Sequence, residues 1–190
     1  MGNVDITALE IDSKCFVLLQ HRVKRQGKEW ERAGASIQCY NDDSRSYNPP
    51  GNFDVVVSSF ADHHIKPKDK LRYFSNVQRN MRDGAIFVVG DEFLPEHDST
   101  DLESRSNALT RYHEHIIEIA REEGHEVLVK LEQAALTSGL EQIGDFKLSC
   151  SEYEAETKEA GLHLDLKEKI GPLDDDSVGG VFVYRFIASS

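Results

Sequence analysis

Phe53-Asp54-Val55-Val56-Val57-Ser58-Ser59-Phe60-Ala61-Asp62-His63-His64-Ile65 runs three β-branched residues out of an acidic start into a small polar loop with two histidines. A continuous valine run bounded by polar residues fits a parallel strand covered on both faces by helices. In open α/β sheets the loops at the carboxyl ends of the strands hold the ligand, so residues 58–64 read as part of a site.

Working outward, residues 6–9 form a short apolar run ending in Glu10-Ile11-Asp12-Ser13, where Asp12 or Ser13 can cap a helix. Cys15, Phe16, Leu18, Leu19 and Val23 give that helix an apolar stripe ahead of a basic run to Arg25. Residues 35–40 make a second strand, and residues 41–52 a polar loop containing Pro49-Pro50-Gly51. On the other side, Pro67 opens a helix predicted to reach about Arg82, with Leu71, Phe74, Val77 and Met81 on one face. Asp83-Gly84 then stops it, and residues 85–91 are the next strand. This alternation is the βαβ rhythm of an α/β, Rossmann-like doubly wound, mostly parallel sheet. A helical insertion at about 98–138, with a break near Gly124, interrupts the rhythm. Ser151-Glu152-Tyr153-Glu154 reads as a capping box opening a helix that ends at Gly161. Residues 162–170 and 181–186 close the chain as an antiparallel strand pair.

At 190 residues and 39% hydrophobic content, the expectation is one domain, residues 1–190, with a real core. Net charge is −12, with 34 acidic against 22 basic residues spread along the chain. Such a field repels phosphate backbones and anionic lipid, which points away from nucleic acid and towards a protein or small molecule. Cys15, Cys39 and Cys150 stand far apart, with neither disulfide nor thiolate-metal spacing, and are expected as buried thiols in a reducing cytoplasm. No apolar run approaches the roughly 20 residues of a membrane span, and the first residues lack a signal-peptide pattern; a cytoplasmic protein without a membrane partner is expected.

The order of elements resembles the class I S-adenosylmethionine-dependent methyltransferases from that family's second strand to its seventh, and the Phe53–Ile65 string resembles the fourth strand and following loop. The resemblance implies S-adenosyl-L-methionine as cofactor. Residues 6–10 are similar to the second strand, whose terminal acid accepts hydrogen bonds from both ribose hydroxyls; that role falls on Glu10, with Ile11 beside it. Asn41-Asp42-Asp43 resembles the acidic loop that meets the adenine amino group, and Ser58-Ser59-Phe60 the segment passing the adenine and methionine portions. Met81-Arg82-Asp83-Gly84-Ala85 is similar to the turn before the fifth strand.

The family pattern opens with a strand and a Gly-rich loop against the cofactor, and nothing before Ile6 supplies them. That strand sits mid-sheet. Three accounts stay open: a fragment of a longer enzyme, a missing strand supplied by self-association or a partner chain, or a chain that folds without it and has lost or remodelled cofactor binding.

Methyl transfer from a sulfonium needs alignment, plus a base when the acceptor is protonated. His63 is the candidate base and His64 a candidate substrate contact, against the plainer reading that they pack and fix the loop. Asp91 and Glu92 follow the fifth family strand and are candidates to orient an amine or hydroxyl acceptor, against the plainer reading of a solvated rim or a helix cap. With His97 and Asp98 they match no tight metal template, so no metal is expected. The inserted helices are placed to roof the rim, with Arg111 and Tyr112 as acceptor contacts and Tyr112 as pocket wall. The expected activity is methyl transfer to a small molecule, by this chain or an enzyme of which it is a fragment. The competing reading is a non-catalytic methyltransferase-fold partner, or pseudoenzyme, acting as an interaction subunit. A nicotinamide dehydrogenase fits less well, because the terminal antiparallel pair is foreign to that fold.

Overall fold

A computed structural model describes residues 4–173 and 175–188. The chain divides into two compact units, Met1–Pro49 and Pro50–Ser190.

In the first unit, β1 (Val4–Leu9) and β2 (Ala35–Tyr40) are parallel, joined by α1 (Ser13–Arg32). Asp12 starts α1, its carboxylate accepting from the main-chain N–H of Lys14 and Cys15 at 2.9 and 2.8 Å. Phe16, Leu19, Val23 and Trp30, spaced at helical intervals, form the half-buried face that extends the helix beyond Arg25. Leu9 is in register with Tyr40, so Glu10 and Asn41 leave the sheet at the same end.

The second unit is built on a four-stranded sheet in the order β3 (Phe53–Ser59), β4 (Met81–Phe93), β6 (Gly180–Ala188), β5 (Leu162–Gly171). β3 and β4 are parallel, and β6 is antiparallel to both of its neighbours. Along β4, Ala85, Phe87, Val89, Asp91 and Phe93 alternate into the core. They pack with Tyr73, Phe74 and Val77 of α2 (Pro67–Arg79), Tyr153 of α5 (Cys150–Glu159), and Tyr184 and Phe186 of β6. The inserted helices are α3 (Leu102–Glu122) and α4 (Glu126–Leu140), separated at Gly124 as the sequence predicts.

Several expectations are corrected. The valine strand is not covered on both faces: Val55 is 50% and Val57 67% exposed, both on the same face of β3. Helix α2 ends at Arg79 and Met81 begins β4, so Asp83-Gly84 is not a helix stop. Phe53 pairs with Met81 but Val55 with Ile86, and the extra residues of β4 form a bulge in which Gly84 takes φ 72°. The capping box is Ser149–Glu152, two residues early. Of the cysteines only Cys150 is buried; Cys15 lies exposed in the first turn of α1 and Cys39 is intermediate.

Candidate functional site

The rim of the second unit is assembled where β3 and β4 end. Beyond β3 the chain takes φ 49° at Phe60, an uncommon value for a side-chain-bearing residue, and enters a single 3-10 turn, Asp62–His64. Strand parity turns Asp91 to the core side of β4, where a carboxylate must find donors. It finds two on one residue: Oδ1 meets His63 Nδ1 at 2.5 Å and Oδ2 accepts from the His63 main-chain N–H at 3.1 Å. A carboxylate is an acceptor only, so Nδ1 is the nitrogen that keeps its proton, and in the neutral ring the lone pair lies on Nε2. The His63 side chain keeps about a tenth of its surface open. Burial works against ionisation of Asp91, but the His63 hydrogen bond and charge outweigh it and hold its carboxyl below the usual range.

Beneath the turn lies a buried polar cluster. Asp62 accepts from Ser58 Oγ at 2.5 Å, Tyr73 OH at 2.9 Å and Tyr153 OH at 2.6 Å, and Lys70 Nζ donates to its main-chain carbonyl at 2.8 Å. Burial, seconded by the charge of Asp91, raises the Asp62 carboxyl above the ordinary range despite the three hydroxyls; burial lowers the Lys70 ammonium.

The loop before α5 closes against the turn. Phe146 N–H donates to the His63 carbonyl at 2.7 Å, and His64 Nδ1 lies 2.6 Å from the Gly144 carbonyl. The same loop inserts Lys147, whose ammonium meets Glu92 at 3.1 Å and Asp145 at 2.5 Å. Burial disfavours that charge, but Glu92 and then Asp145 more than restore it and raise the pKa of Lys147. Tyr112 is buried beside them with Lys147 Nζ 5.6 Å from its ring centre; burial, then Glu92 and Glu132, push its hydroxyl well up. Its neighbour His113 holds Glu132 at 2.7 Å through Nδ1.

On the first unit, the ends of β1 and β2 bring Glu10, Ile11, Asp42 and Asp43 to one edge. Asn41 ties the strand ends by donating to the carbonyls of Glu10 and Ile11 at 2.7 and 3.0 Å. Glu10 Oε1 accepts from the Asp12 N–H at 2.8 Å, Asp42 accepts from the Asp43 N–H at 2.7 Å, and Asp43 pairs with Arg45 at 2.7 Å. Carboxylate acceptors of this kind suit the hydroxyl and amine donors of a nucleoside.

The structure thus groups His63, Asp91, Glu92 and Tyr112, and His64 flanks them with its ring 4.1 Å from that of His63. Asp91 holds His63, and Ser58 binds Asp62 while Ser59 is exposed. Arg111 is exposed and reaches the Ser177 carbonyl at 3.4 Å, apart from this group. Asp62, Lys70, Tyr73, Tyr153, Asp145 and Lys147 escaped sequence reasoning. Lys70 had a signal, since with Tyr73, Phe74 and Val77 it completes the spacing of the buried face of α2. A broad depression of about 530 Å³ near the α3–α4 turn is lined by residues such as Val127 and Leu131, none of them in the His63 group. Among the described residues no group of three or more His, Cys, Asp or Glu side chains is placed to hold a metal, and no helix is long and apolar enough to cross a membrane.

No family model matches the chain, and neither does any curated protein by sequence. Solved structures do match. A S-adenosylmethionine-dependent methyltransferase from Clostridium acetobutylicum aligns over 100% of this chain and 84% of its own, with TM-score 0.63 at 8% identity. PigF with SAH aligns over 97% of this chain with TM-score 0.58 at 17% identity, and this chain spans only 42% of it. A methyltransferase of the same kind from Methanosarcina mazei covers 97% and 82%, with TM-score 0.57 at 16% identity. The fold is therefore that of the S-adenosylmethionine-dependent methyltransferases.

Proposed function

We infer that the chain works in S-adenosylmethionine-dependent methylation of a small-molecule acceptor whose nucleophile carries a proton, with His63 as general base. The observation that carries this reading is the His63–Asp91 pair: a buried carboxylate fixes the tautomer and leaves Nε2 basic at the rim of a methyltransferase fold. The cofactor supplies an electrophilic methyl group on a sulfonium. Glu10 accepts from the ribose hydroxyls, with Ile11 beside it, and Asp42 and Asp43 meet the adenine. His63 Nε2 takes the acceptor's proton, and Asp91 stabilises the imidazolium that forms. Tyr112 and Glu92 wall the acceptor side, with Glu92 held by Lys147. The single open position on His63 favours phenols, alcohols and protonated amines over acceptors that carry no proton.

The test is transfer of labelled methyl to a panel of phenols and amines by the parent protein and by His63→Gln. The variant should lose about 10²- to 10⁴-fold in rate while binding S-adenosylhomocysteine as the parent does. A parent that binds S-adenosylhomocysteine but transfers nothing would put the interaction-subunit reading in its place.

A further inference from the structure

The cluster under the His63 turn contains a group that methyl transfer does not require. Lys70 is 1% exposed, and burying an ammonium costs several kcal/mol unless its surroundings offset it. An apolar side chain at that register of α2 would continue the face of Tyr73, Phe74 and Val77 without the cost. The ammonium instead points at the residue immediately before His63, donating to its main-chain carbonyl at 2.8 Å. The space enclosed there, bordered by Asp62, His63, Lys70, Asp91 and Tyr153, measures about 10 Å³. It admits one water at most, so Lys70 does not face an acceptor.

The turn needs outside support. It is one 3-10 turn of three residues, entered through the unfavourable backbone of Phe60, and its side-chain cap is lacking. The loop before α5 holds its His63 and His64 end, and two further sets of bonds hold Asp62: the Lys70 bond on its carbonyl, and the three hydroxyls of Ser58, Tyr73 and Tyr153 on its carboxylate. Lys70 lies in the field of both buried carboxylates, Asp62 and Asp91, which offsets part of its desolvation.

We propose that Lys70 is a positioning residue: by clamping the Asp62 carbonyl while three hydroxyls clamp its carboxylate, it sets the turn so that both the ring and the main-chain N–H of His63 reach Asp91. Its catalytic consequence rests on the reading of His63 as the base, but the geometry stands without it.

A proton in a short histidine–carboxylate hydrogen bond resonates far downfield of other imidazole protons, and proton NMR of the full chain reads it directly. The parent is expected to show one such signal, and Asp91→Asn to assign it by removing it. Lys70→Met is expected to keep a cooperative melt and lose the signal, whereas Lys70→Gln, which keeps an N–H donor without the charge, retains it at a shifted position. A signal unmoved in folded Lys70→Met overturns the proposal. If Lys70→Met does not fold, Lys70→Gln takes its place, and a signal there unmoved from the parent overturns it equally. A parent with no downfield signal overturns the His63–Asp91 geometry and the proposal with it. The readout needs neither cofactor nor acceptor, so failure of the methyltransferase reading shows separately, as a parent with the signal but no methyl transfer.

Discussion

Asp91 and Asp62 share one cluster, yet their surroundings move them in opposite directions. Asp91, lowered by the His63 contact against its burial, contributes stability that is present above the ordinary carboxylate value near 3.9 and lost as pH falls through its lower native value. Asp62, raised by burial and by Asp91, contributes stability that is present below that ordinary value and lost as pH rises through its higher native value. Asp91→Asn should therefore cost about 3–5 kcal/mol at neutral pH, with the deficit shrinking in acid. Asp62→Asn should gain on the parent between pH about 4 and neutrality. Thermal melts of the parent and both variants across that window check the signs; parallel curves for the two variants would refute them. Asp91 was legible in part, because the 85-87-89-91-93 alternation already puts it on the core face of its strand. Asp145 and Lys147 were not, since they lie in an aperiodic loop and become a site only through contacts with Glu92 and the His63 turn, far away in sequence.

At the scale of elements, the rim depends on how α5 starts and how β6 meets β4. Ser149 Oγ accepts from the Glu152 N–H while Glu152 accepts from the Ser149 N–H at 2.8 Å, and Ser149→Ala should cost about 1 kcal/mol in a denaturant titration. Gly179 has φ 80°, and a Cβ there would lie 2.3 Å from the Phe93 carbonyl oxygen. Gly179→Ala should thus destabilise by about 3 kcal/mol or more, and a variant that melts with the parent would contradict this packing. Element order and the Gly124 break follow from periodicity and turn signals, and the parallel directions from the βαβ alternation. The boundaries that moved had competing signals: Asp83-Gly84 serves a strand bulge as well as a helix end, and Ser149 and Ser151 stand three residues before Glu152 and Glu154 alike.

For the molecule as a whole, the sheets present unfinished edges. β1 pairs with β2 alone and β3 with β4 alone among the described residues, and Val4, Val55 and Val57 are each at least half exposed. Such edges are templates for strand addition. The chain is therefore expected to self-associate or take a partner strand, and sedimentation showing a stable monomer at micromolar concentration would count against that. Whether the fold serves S-adenosylmethionine is read by a calorimetric titration with S-adenosylhomocysteine and with adenosine. Since Glu10, Asp42 and Asp43 are assigned to the nucleoside, both ligands should bind within about tenfold of one another, roughly 1.4 kcal/mol. Glu10→Ala should weaken both by on the order of 2–4 kcal/mol. A parent that binds neither ligand, or a Glu10→Ala variant with unchanged affinity, would contradict a nucleoside site at Glu10.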